Sequence, residues 1–225
     1  MRRLYKIILI LIVCLILTII IYNITKSNSI SYLALGDGVA SGETAYNIDG
    51  ISFNNYFQEN TENIKNYNDY FSNKNEKVET LLDKIQKNTK YKNIYFKQLI
   101  HNANIITLAI GMDEIVKYAF TDKITEEYLN SFFHNYEKLI KSLRELNDKK
   151  IFIIGLYKSE KINDGNLIII NSTISNLAEK YNCIYIDINP LLEEKYFLKE
   201  NSYYFSYKAH YKIYQMINYT LKEIN

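Results

Sequence analysis

The chain has 225 residues, enough for one αβ domain with a full core after a short N-terminal segment is set aside. The net charge is only +2, and without Arg2, Arg3 and Lys6 the balance is 24 basic against 25 acidic residues. This balance does not supply the basic surface that a nucleic-acid-binding protein needs. The two cysteines, Cys14 and Cys183, lie in an apolar segment and a predicted strand, which favours neither a disulfide nor a metal site. We therefore expect no nucleic-acid partner, no metal and no cofactor.

The N-terminal segment has the pattern of a membrane anchor. Its three cations precede an uncharged stretch from Ile7 to Tyr22, which is short for a span but adequate if Tyr5 and Tyr22 lie at the interfaces. The cations favour a cytoplasmic N-terminus, with the remainder of the chain outside. The sequence therefore predicts a basic tip (residues 1–6), a transmembrane signal anchor (7–24), a linker (25–31) and one extracytoplasmic domain (32–225).

Two alternatives to an uncleaved anchor rest on weaker signals. A cleaved signal peptide would need a small-residue cleavage site, and only Ser27-Asn28-Ser29 offers a weak one. A lipid anchor would use Cys14, but Val13 is too large for the residue before a lipidated cysteine, and the apolar run continues past it. The favoured prediction is a single-pass protein of the cell membrane.

Beyond the linker, continuous apolar runs alternate with amphipathic stretches, which is typical of repeated βα units. The continuous runs favour strands buried on both faces of a parallel sheet, and the stretches with helical spacing favour helices on its faces. The predicted strands are Ser31–Leu35, a weaker Asn66–Phe71, Ile105–Ile110, Ile151–Leu156 and Ile184–Ile188. The predicted helices are Val78–Ile85, Glu126–Leu146, Asn166–Tyr181 and Tyr207–Lys222. The expected fold class is α/β with a central parallel sheet.

The first predicted strand runs into the turn Gly36-Asp37-Gly38, at the end of the strand where open parallel sheets place their ligand sites. A strand followed by Gly-Asp-x resembles the first sequence block of the SGNH (GDSL) hydrolases, Gly-Asp-Ser-Leu. Gly38 stands where that family carries its nucleophilic serine, and glycine has no side-chain oxygen to attack an acyl carbon. Ser41 is the only other candidate nucleophile in this block. The local alternative is that Asp37 caps a helical turn and that the glycines serve the backbone of the turn.

The resemblance extends to the two blocks that build the oxyanion hole of the family. After the strand Ile105–Ile110, Gly111-Met112-Asp113 puts Asp113 where the family has an asparagine that donates to the oxyanion. An ionised carboxylate only accepts hydrogen bonds, so it would repel the developing charge. The best match for the family's oxyanion-hole glycine is Asn75, and asparagine tolerates a left-handed backbone better than most residues.

The last block of the family, Asp-x-x-His-Pro-Asn, aligns Asn201 with the aspartate and Tyr204 with the general-base histidine. A tyrosine, with a pKa of about 10, is a poor proton acceptor at neutral pH. His210 offers an imidazole nearby, but it falls on the predicted helix that follows. The resemblance implies the three-layer αβα, flavodoxin-like SGNH fold with its catalytic positions substituted.

These observations predict a membrane-anchored, catalytically inactive protein that acts in binding or scaffolding at the cell envelope. The candidate ligand cleft contains Asp37, Ser41, Asp113, Tyr204 and His210, and the candidate partners are an envelope glycan, an acyl-bearing ligand or another envelope protein. An active esterase or acylhydrolase with a relocated nucleophile is the alternative function, and an unrelated αβ domain is the alternative fold. Because losses within a catalytic triad are not additive, coordinated loss explains the substitutions better than relocation does. If the fold is right, the turn at Gly38, Asp113 and Tyr204 should converge on one crevice.

Overall fold

The computed structural model describes residues 2–27, 29–44, 50–119, 124–158, 162–191, 193–197 and 204–224. Helix α1 spans Arg2–Ser27, and its described side chains, those of residues 5–20, are exposed. Within the part of the chain whose side chains the structure describes, no helix meets both the length and the apolarity needed to cross a membrane. The predicted anchor, linker and topology therefore stay predictions.

A five-stranded sheet forms the centre of the domain, and every neighbouring pair of its strands is parallel. Its strands are β1 (Ile30–Gly36), β2 (Ile64–Ser72), β5 (Ile105–Ala109), β6 (Lys150–Ile154) and β7 (Ile184–Ile186), in the order β2-β1-β5-β6-β7. This is the flavodoxin-like order of doubly wound sheets. The strands β3 (Lys90–Tyr91) and β4 (Ile94–Tyr95) form a separate antiparallel hairpin. The predicted α/β fold with a central parallel sheet is confirmed.

The helices form a layer on each face of this sheet. They are α2 (Gly38–Ser41), α3 (Phe53–Asn60), α4 (Val78–Gln86), α5 (Phe96–Asn102), α6 (Met112–Ala119), α7 (Glu126–Leu146), α8 (Asp164–Lys180) and α9 (Tyr207–Glu223), with single 3₁₀ turns at Asn189–Leu191 and Glu194–Tyr196. Helix α3 packs against α9, while α7 packs against α4, α5 and α8. Right-handed crossovers in this strand order place the two groups on opposite faces. Because β1, β2 and β5 are parallel, the loops that follow their carboxyl ends lie at the same edge of the sheet.

The core follows from the two predicted sequence patterns. The five residues of β5 are all buried, as the continuous run Ile105–Ala109 predicts for a central strand. In α7 the buried side chains recur at helical spacing, and Thr125 caps the helix by accepting from the Tyr128 amide. Each fully buried aliphatic side chain contributes about 1.5–3 kcal/mol, so these two elements alone supply a large part of the stabilisation.

Three predicted strands end earlier than the apolar runs suggest, and β5 does so by one residue, at Ala109 rather than Ile110. Strand β6 ends at Ile154 rather than Leu156, and β7 at Ile186 rather than Ile188. For β6 the reason lies in α8, where the buried Asn171 donates its Nδ2 to the Leu156 carbonyl (2.6 Å) and accepts from the Leu156 amide through Oδ1 (2.8 Å). A side chain therefore takes the backbone groups that the sheet ladder would otherwise use, and it fixes the loop that continues into Tyr157.

Replacement of Asn171 by alanine leaves the buried amide and carbonyl of Leu156 without partners. We expect the free energy of unfolding to fall by about 2–4 kcal/mol, since each unsatisfied buried group costs about 1–3 kcal/mol. The exposed Ser172→Ala in the same helix is the matched control and should change stability by less than about 0.5 kcal/mol. Urea unfolding of both variants measures the difference, and equal midpoints would contradict this account of the loop.

Candidate functional site

The turn after β1 is held close to β5 by a glycine. Gly36 has φ 141°, and a Cβ atom there would overlap the carbonyl oxygen of Ala109. Only glycine adopts this backbone conformation and this close approach without strain. The next amide, that of Asp37, donates to the same Ala109 carbonyl (2.9 Å), so the chain leaves the sheet at a fixed point.

Asp37 is fully buried and links the turn after β1 to the segment Gly111-Met112-Asp113 after β5. Its Oδ1 accepts from the Val39 amide (3.1 Å), which caps α2 as the local interpretation predicts. Its Oδ2 accepts from the amides of Gly111 (2.9 Å) and Asp113 (3.1 Å), beyond the end of β5. The carboxylate therefore acts both as a helix cap and as a clamp between two loops.

Asp113 brings three of the sequence blocks to a single atom. Its Oδ2 accepts from the backbone amide of Gly38 (2.9 Å) and from that of Asn75 (3.0 Å). Asn75 has φ 60°, the left-handed conformation that its asparagine side chain tolerates. Two backbone N–H groups that converge on one point form the arrangement that holds an oxyanion in acyl-transfer sites. In this chain the point is occupied by the protein's own carboxylate.

Two carboxyl groups, those of Glu43 and Asp113, occupy the space where a side chain at position 38 would begin. A Cβ atom on Gly38 would lie 2.9 Å from Asp113 Oδ2 and 2.5 Å from Glu43 Oε2, both closer than real Cβ contacts. The backbone of Gly38 is not among the positive-φ positions, so its conformation does not require glycine. A side chain at this position would require the ends of the Glu43 and Asp113 side chains to shift.

Glu114 repeats this pattern one residue further along. Its Oε2 accepts from the amide of Val78 at the start of α4 (2.8 Å), and its Oε1 accepts from the Tyr128 hydroxyl (3.1 Å). Asp113 and Glu114 together fasten the segment between Asn75 and Val78 to the beginning of α6. The loop after β2 is thus positioned by two acidic side chains of the loop after β5.

The electrostatics of this edge are those of buried acids. Burial raises the pKa of Asp37 well above its usual range, and the neighbouring Asp113 carboxylate raises it further. Burial also raises the pKa of Asp113, against the opposing effect of the Gly38 and Asn75 amides, and that of Glu114. Within the described residues, none of these three acids forms an ion pair. Additional negative charge is therefore unfavourable here.

A cavity of about 10 Å³, the size of one water molecule, lies against this cluster. Its lining includes Gly38, Glu43, Asp113, Tyr204, Phe205 and His210. The structure thus brings together the turn, Asp113, Tyr204 and His210, while Asn201 lies outside the described residues. None of the described lining residues is a serine, threonine or cysteine. Sequence reasoning missed Glu43 and Phe205, for which no local pattern gave a signal.

Ser41, the candidate relocated nucleophile, does not line this cavity. Its Oγ donates to the Gly38 carbonyl oxygen (3.3 Å), one helical turn back along α2, and the residue borders a neighbouring groove instead. The structure therefore does not place Ser41 with Asp113, Tyr204 and His210 in one cleft. Across the described part of the chain, no group of three or more histidine, cysteine, aspartate or glutamate side chains is arranged to hold a metal ion.

His210 is a buried core residue on α9. Its Nδ1 accepts from the Phe53 amide (3.3 Å), and its ring packs between Phe53 (6.3 Å between centroids) and Phe205 (5.9 Å). Burial lowers the pKa of His210 to about 4. An imidazole with this pKa is a weak base at neutral pH.

No family model matches the chain, and none of the curated proteins matches it. Several solved structures are similar to the chain. A catalytic mutant of Axe2, an acetylxylan esterase from Geobacillus stearothermophilus, is 14% identical with a TM-score of 0.63, covering 87% of this chain and 94% of that one. A member of the lipolytic protein G-D-S-L family from Veillonella parvula is 13% identical with a TM-score of 0.61, covering 85% and 98%. LAE5, an alpha/beta hydrolase enzyme from the Lake Arreo metagenome, is 12% identical with a TM-score of 0.63, covering 87% and 96%.

The chain has the fold of the G-D-S-L esterases. At 12–14% identity the similarity concerns the fold alone, and it confirms the SGNH-type architecture that the sequence blocks implied. On a G-D-S-L fold, the loops after β1, β2 and β5 meet at the edge where open parallel sheets bind ligands. The acid cluster and the cavity described above occupy that edge.

The buried imidazole predicts a pH dependence of stability. The folded-state pKa of about 4 lies below the unfolded value of about 6.5, so between these two pH values His210 is protonated in the unfolded chain and neutral in the folded one. Protonation of the unfolded chain therefore lowers the free energy of unfolding as the pH falls below 6.5, by about 2 kcal/mol at pH 5. In His210→Gln, whose amide oxygen can accept from Phe53, we expect the loss between pH 7 and pH 5 to be smaller by this amount. Urea unfolding at the two pH values measures it.

The exposed His134→Gln is the control for the removal of one imidazole. Identical pH dependence in the parent protein and His210→Gln would contradict the assignment of His210 as a neutral core residue.

Proposed function

We propose that the chain is a membrane-anchored extracytoplasmic protein whose SGNH-type domain binds a ligand or partner and does not hydrolyse esters. The observation that carries the proposal is the Asp113 carboxylate on the amides of Gly38 and Asn75. The donors that would stabilise a tetrahedral intermediate are already engaged by a carboxyl group of the protein itself. An incoming oxyanion would have to displace a carboxylate from a buried site.

Each chemical requirement of serine-type ester hydrolysis is unmet in the described site. Gly38 supplies no nucleophile, Tyr204 is a poor base, and the buried His210 is a weak one. Loss of a nucleophile or base in a serine triad costs about 10⁶ in kcat, and loss of one oxyanion donor costs about 10²–10³. The nucleophile, base and oxyanion positions are all substituted, which supports loss of the esterase activity rather than its modification.

The substitutions at positions 38 and 113 also fit one another. The Asp113 carboxyl group accepts from the backbone amides of both Gly38 and Asn75. The carboxylate in turn has room because residue 38 has no side chain. A site built in this way is stable without a substrate, which is consistent with a domain kept for binding.

The anchor is the second part of the proposal. Its support is the uncharged sequence from Ile7 to Tyr22 behind Arg2, Arg3 and Lys6. Helix α1 ends at Ser27 and β1 begins at Ile30, a separation of at most about 10 Å along the chain. With α1 in the membrane, the amino edge of the sheet lies near the bilayer and the edge with Asp113 points away from it.

The first test is enzymatic. We expect the full chain, in detergent micelles, to hydrolyse short-chain p-nitrophenyl esters and acetylated xylan no faster than a heat-denatured sample, because none of the described residues that line the cavity is a serine, threonine or cysteine. A fluorophosphonate probe should leave it unlabelled while labelling an active G-D-S-L esterase in the same detergent. Turnover that disappears in Ser41→Ala would contradict the proposal and favour a relocated nucleophile.

The second test is topological. We expect the protein in the membrane fraction of cells, with its C-terminal domain degraded by protease added to the extracytoplasmic side. Because the anchor is proposed to be uncleaved, the N-terminus of the membrane-bound form should be that of the full chain. A soluble pool of mature protein that begins near Ser29 would contradict the anchor and support signal cleavage.

A further inference from the structure

A second, larger depression lies beside the inactive site. This β2 groove has a volume of about 390 Å³ and adjoins α2 and the carboxyl end of β2. It shares no described lining residue with the cavity around Gly38. Its volume falls within the range of about 300–1,000 Å³ that small-ligand sites occupy. The groove is therefore a candidate site that the four sequence blocks did not indicate.

The lining of the β2 groove is rich in neutral hydrogen-bonding groups. It includes the hydroxyls of Ser41, Ser52 and Ser72 and the amides of Asn55 and Asn73. One carboxylate, that of the exposed Asp69, lies at its border, and no lysine, arginine or histidine is among its described lining residues. Apart from the Lys92 ammonium beside the Tyr70 and Tyr91 rings, such a lining gives an anionic ligand no cation, and it offers little apolar surface to an acyl chain. A neutral ligand with many hydroxyls fits best.

Two tyrosine rings form an aromatic wall of this groove. Tyr70 and Tyr91 are 4.4 Å apart between ring centroids and tilted by 44°. Tyr91 is carried by the β3–β4 hairpin, whose turn residues Lys92 and Asn93 have φ 45° and 67°, as a tight two-residue turn requires. The Nζ of Lys92 lies 4.9 Å and 5.4 Å from the Tyr70 and Tyr91 centroids, which steadies the pair. A pyranose ring combines a C–H face that packs on such rings with hydroxyls at its edge.

One lining group is buried without a partner. The Oγ of Ser72 is buried and, within the described part of the chain, makes no hydrogen bond, and the residue is only 9% exposed. A buried polar group in this state costs free energy until a partner reaches it. Nearby, the Asn55 Oδ1 accepts from the amide (2.8 Å) and the hydroxyl (2.9 Å) of Ser52, so the amide group is already oriented. The groove thus combines an unmet hydroxyl with a pre-organised amide.

We infer that the β2 groove binds a neutral oligosaccharide. One sugar ring packs on the Tyr70–Tyr91 pair, and its hydroxyls meet Ser72 and Asn55. The inference rests on the proposed binding function and gives it a place and a ligand class. It requires neither the inactive cavity nor the membrane anchor.

Calorimetric titration of the full chain, in a detergent without a sugar headgroup, tests this inference. The probes are chitotetraose, cellotetraose and xylotetraose, with tetragalacturonate as the anionic counterpart. We expect saturable binding of at least one neutral tetrasaccharide and weaker binding of the anion. In Tyr91→Ala the affinity should fall about 5- to 10-fold. The matched control is Tyr95→Ala, whose exposed ring lies on the same hairpin outside the groove and which should bind like the parent.

Ser72→Ala separates binding from folding. Because the hydroxyl has no partner in the described structure, its removal should not lower the melting temperature, yet affinity should fall about 2- to 10-fold. Folded protein that binds none of the neutral tetrasaccharides, or that binds tetragalacturonate more tightly, overturns the inference. Equal losses in Tyr91→Ala and Tyr95→Ala overturn the placement in the groove. If the protein neither binds the tetrasaccharides nor hydrolyses esters, this inference alone is overturned. If it hydrolyses esters and also binds a tetrasaccharide in a way that Tyr91→Ala weakens, only the proposed inactivity is overturned.

Discussion

The interaction on which the rest of the site depends is the pair of hydrogen bonds from the Gly38 and Asn75 amides to one oxygen of Asp113. It joins the loops after β1 and β2 to the start of α6, beyond β5, at one oxygen atom. A Cβ atom at position 38 would lie 2.9 Å from the same Asp113 oxygen, so the glycine leaves room for this arrangement. A pocket that in an acyl-transfer enzyme would await an anion is here filled by the fold itself.

Other buried acids extend the same principle along this edge of the sheet. Asp37 clamps the loops after β1 and β5, and Glu114 holds the start of α4. Backbone amides, rather than cations, are the hydrogen-bond partners of these acids. The neighbouring β2 groove adjoins the same edge, with its lining on α2 and at the end of β2.

The sequence predicted most of the large elements because their patterns are periodic. The continuous runs predicted the central strands, and helix α7 lies over Glu126–Leu146 as its spacing indicates. The short helices α3, α5 and α6 and the β3–β4 hairpin were missed. The stretch from Tyr56 to Lys97, which is rich in asparagine, lysine and tyrosine and holds the hairpin and most of α3, has no clear period. Matching the sequence blocks identified Gly38, Asn75 and Asp113, which the structure brings into contact. It could not reveal that the carboxylate accepts from both amides, because that depends on side-chain direction.

The hydrogen bonds that the Gly38 and Asn75 amides donate to Asp113 can be observed directly by amide NMR. The proton resonances of the Gly38 and Asn75 amides would be followed from pH 4 to pH 8 in the parent protein and in Asp113→Asn. The account predicts that both amides shift with one common midpoint, above the ordinary aspartate pKa because Asp113 is buried, and that the titration disappears in the variant. Gly38 and Asn75 amide resonances that do not shift with pH, or that shift equally in Asp113→Asn, would contradict it.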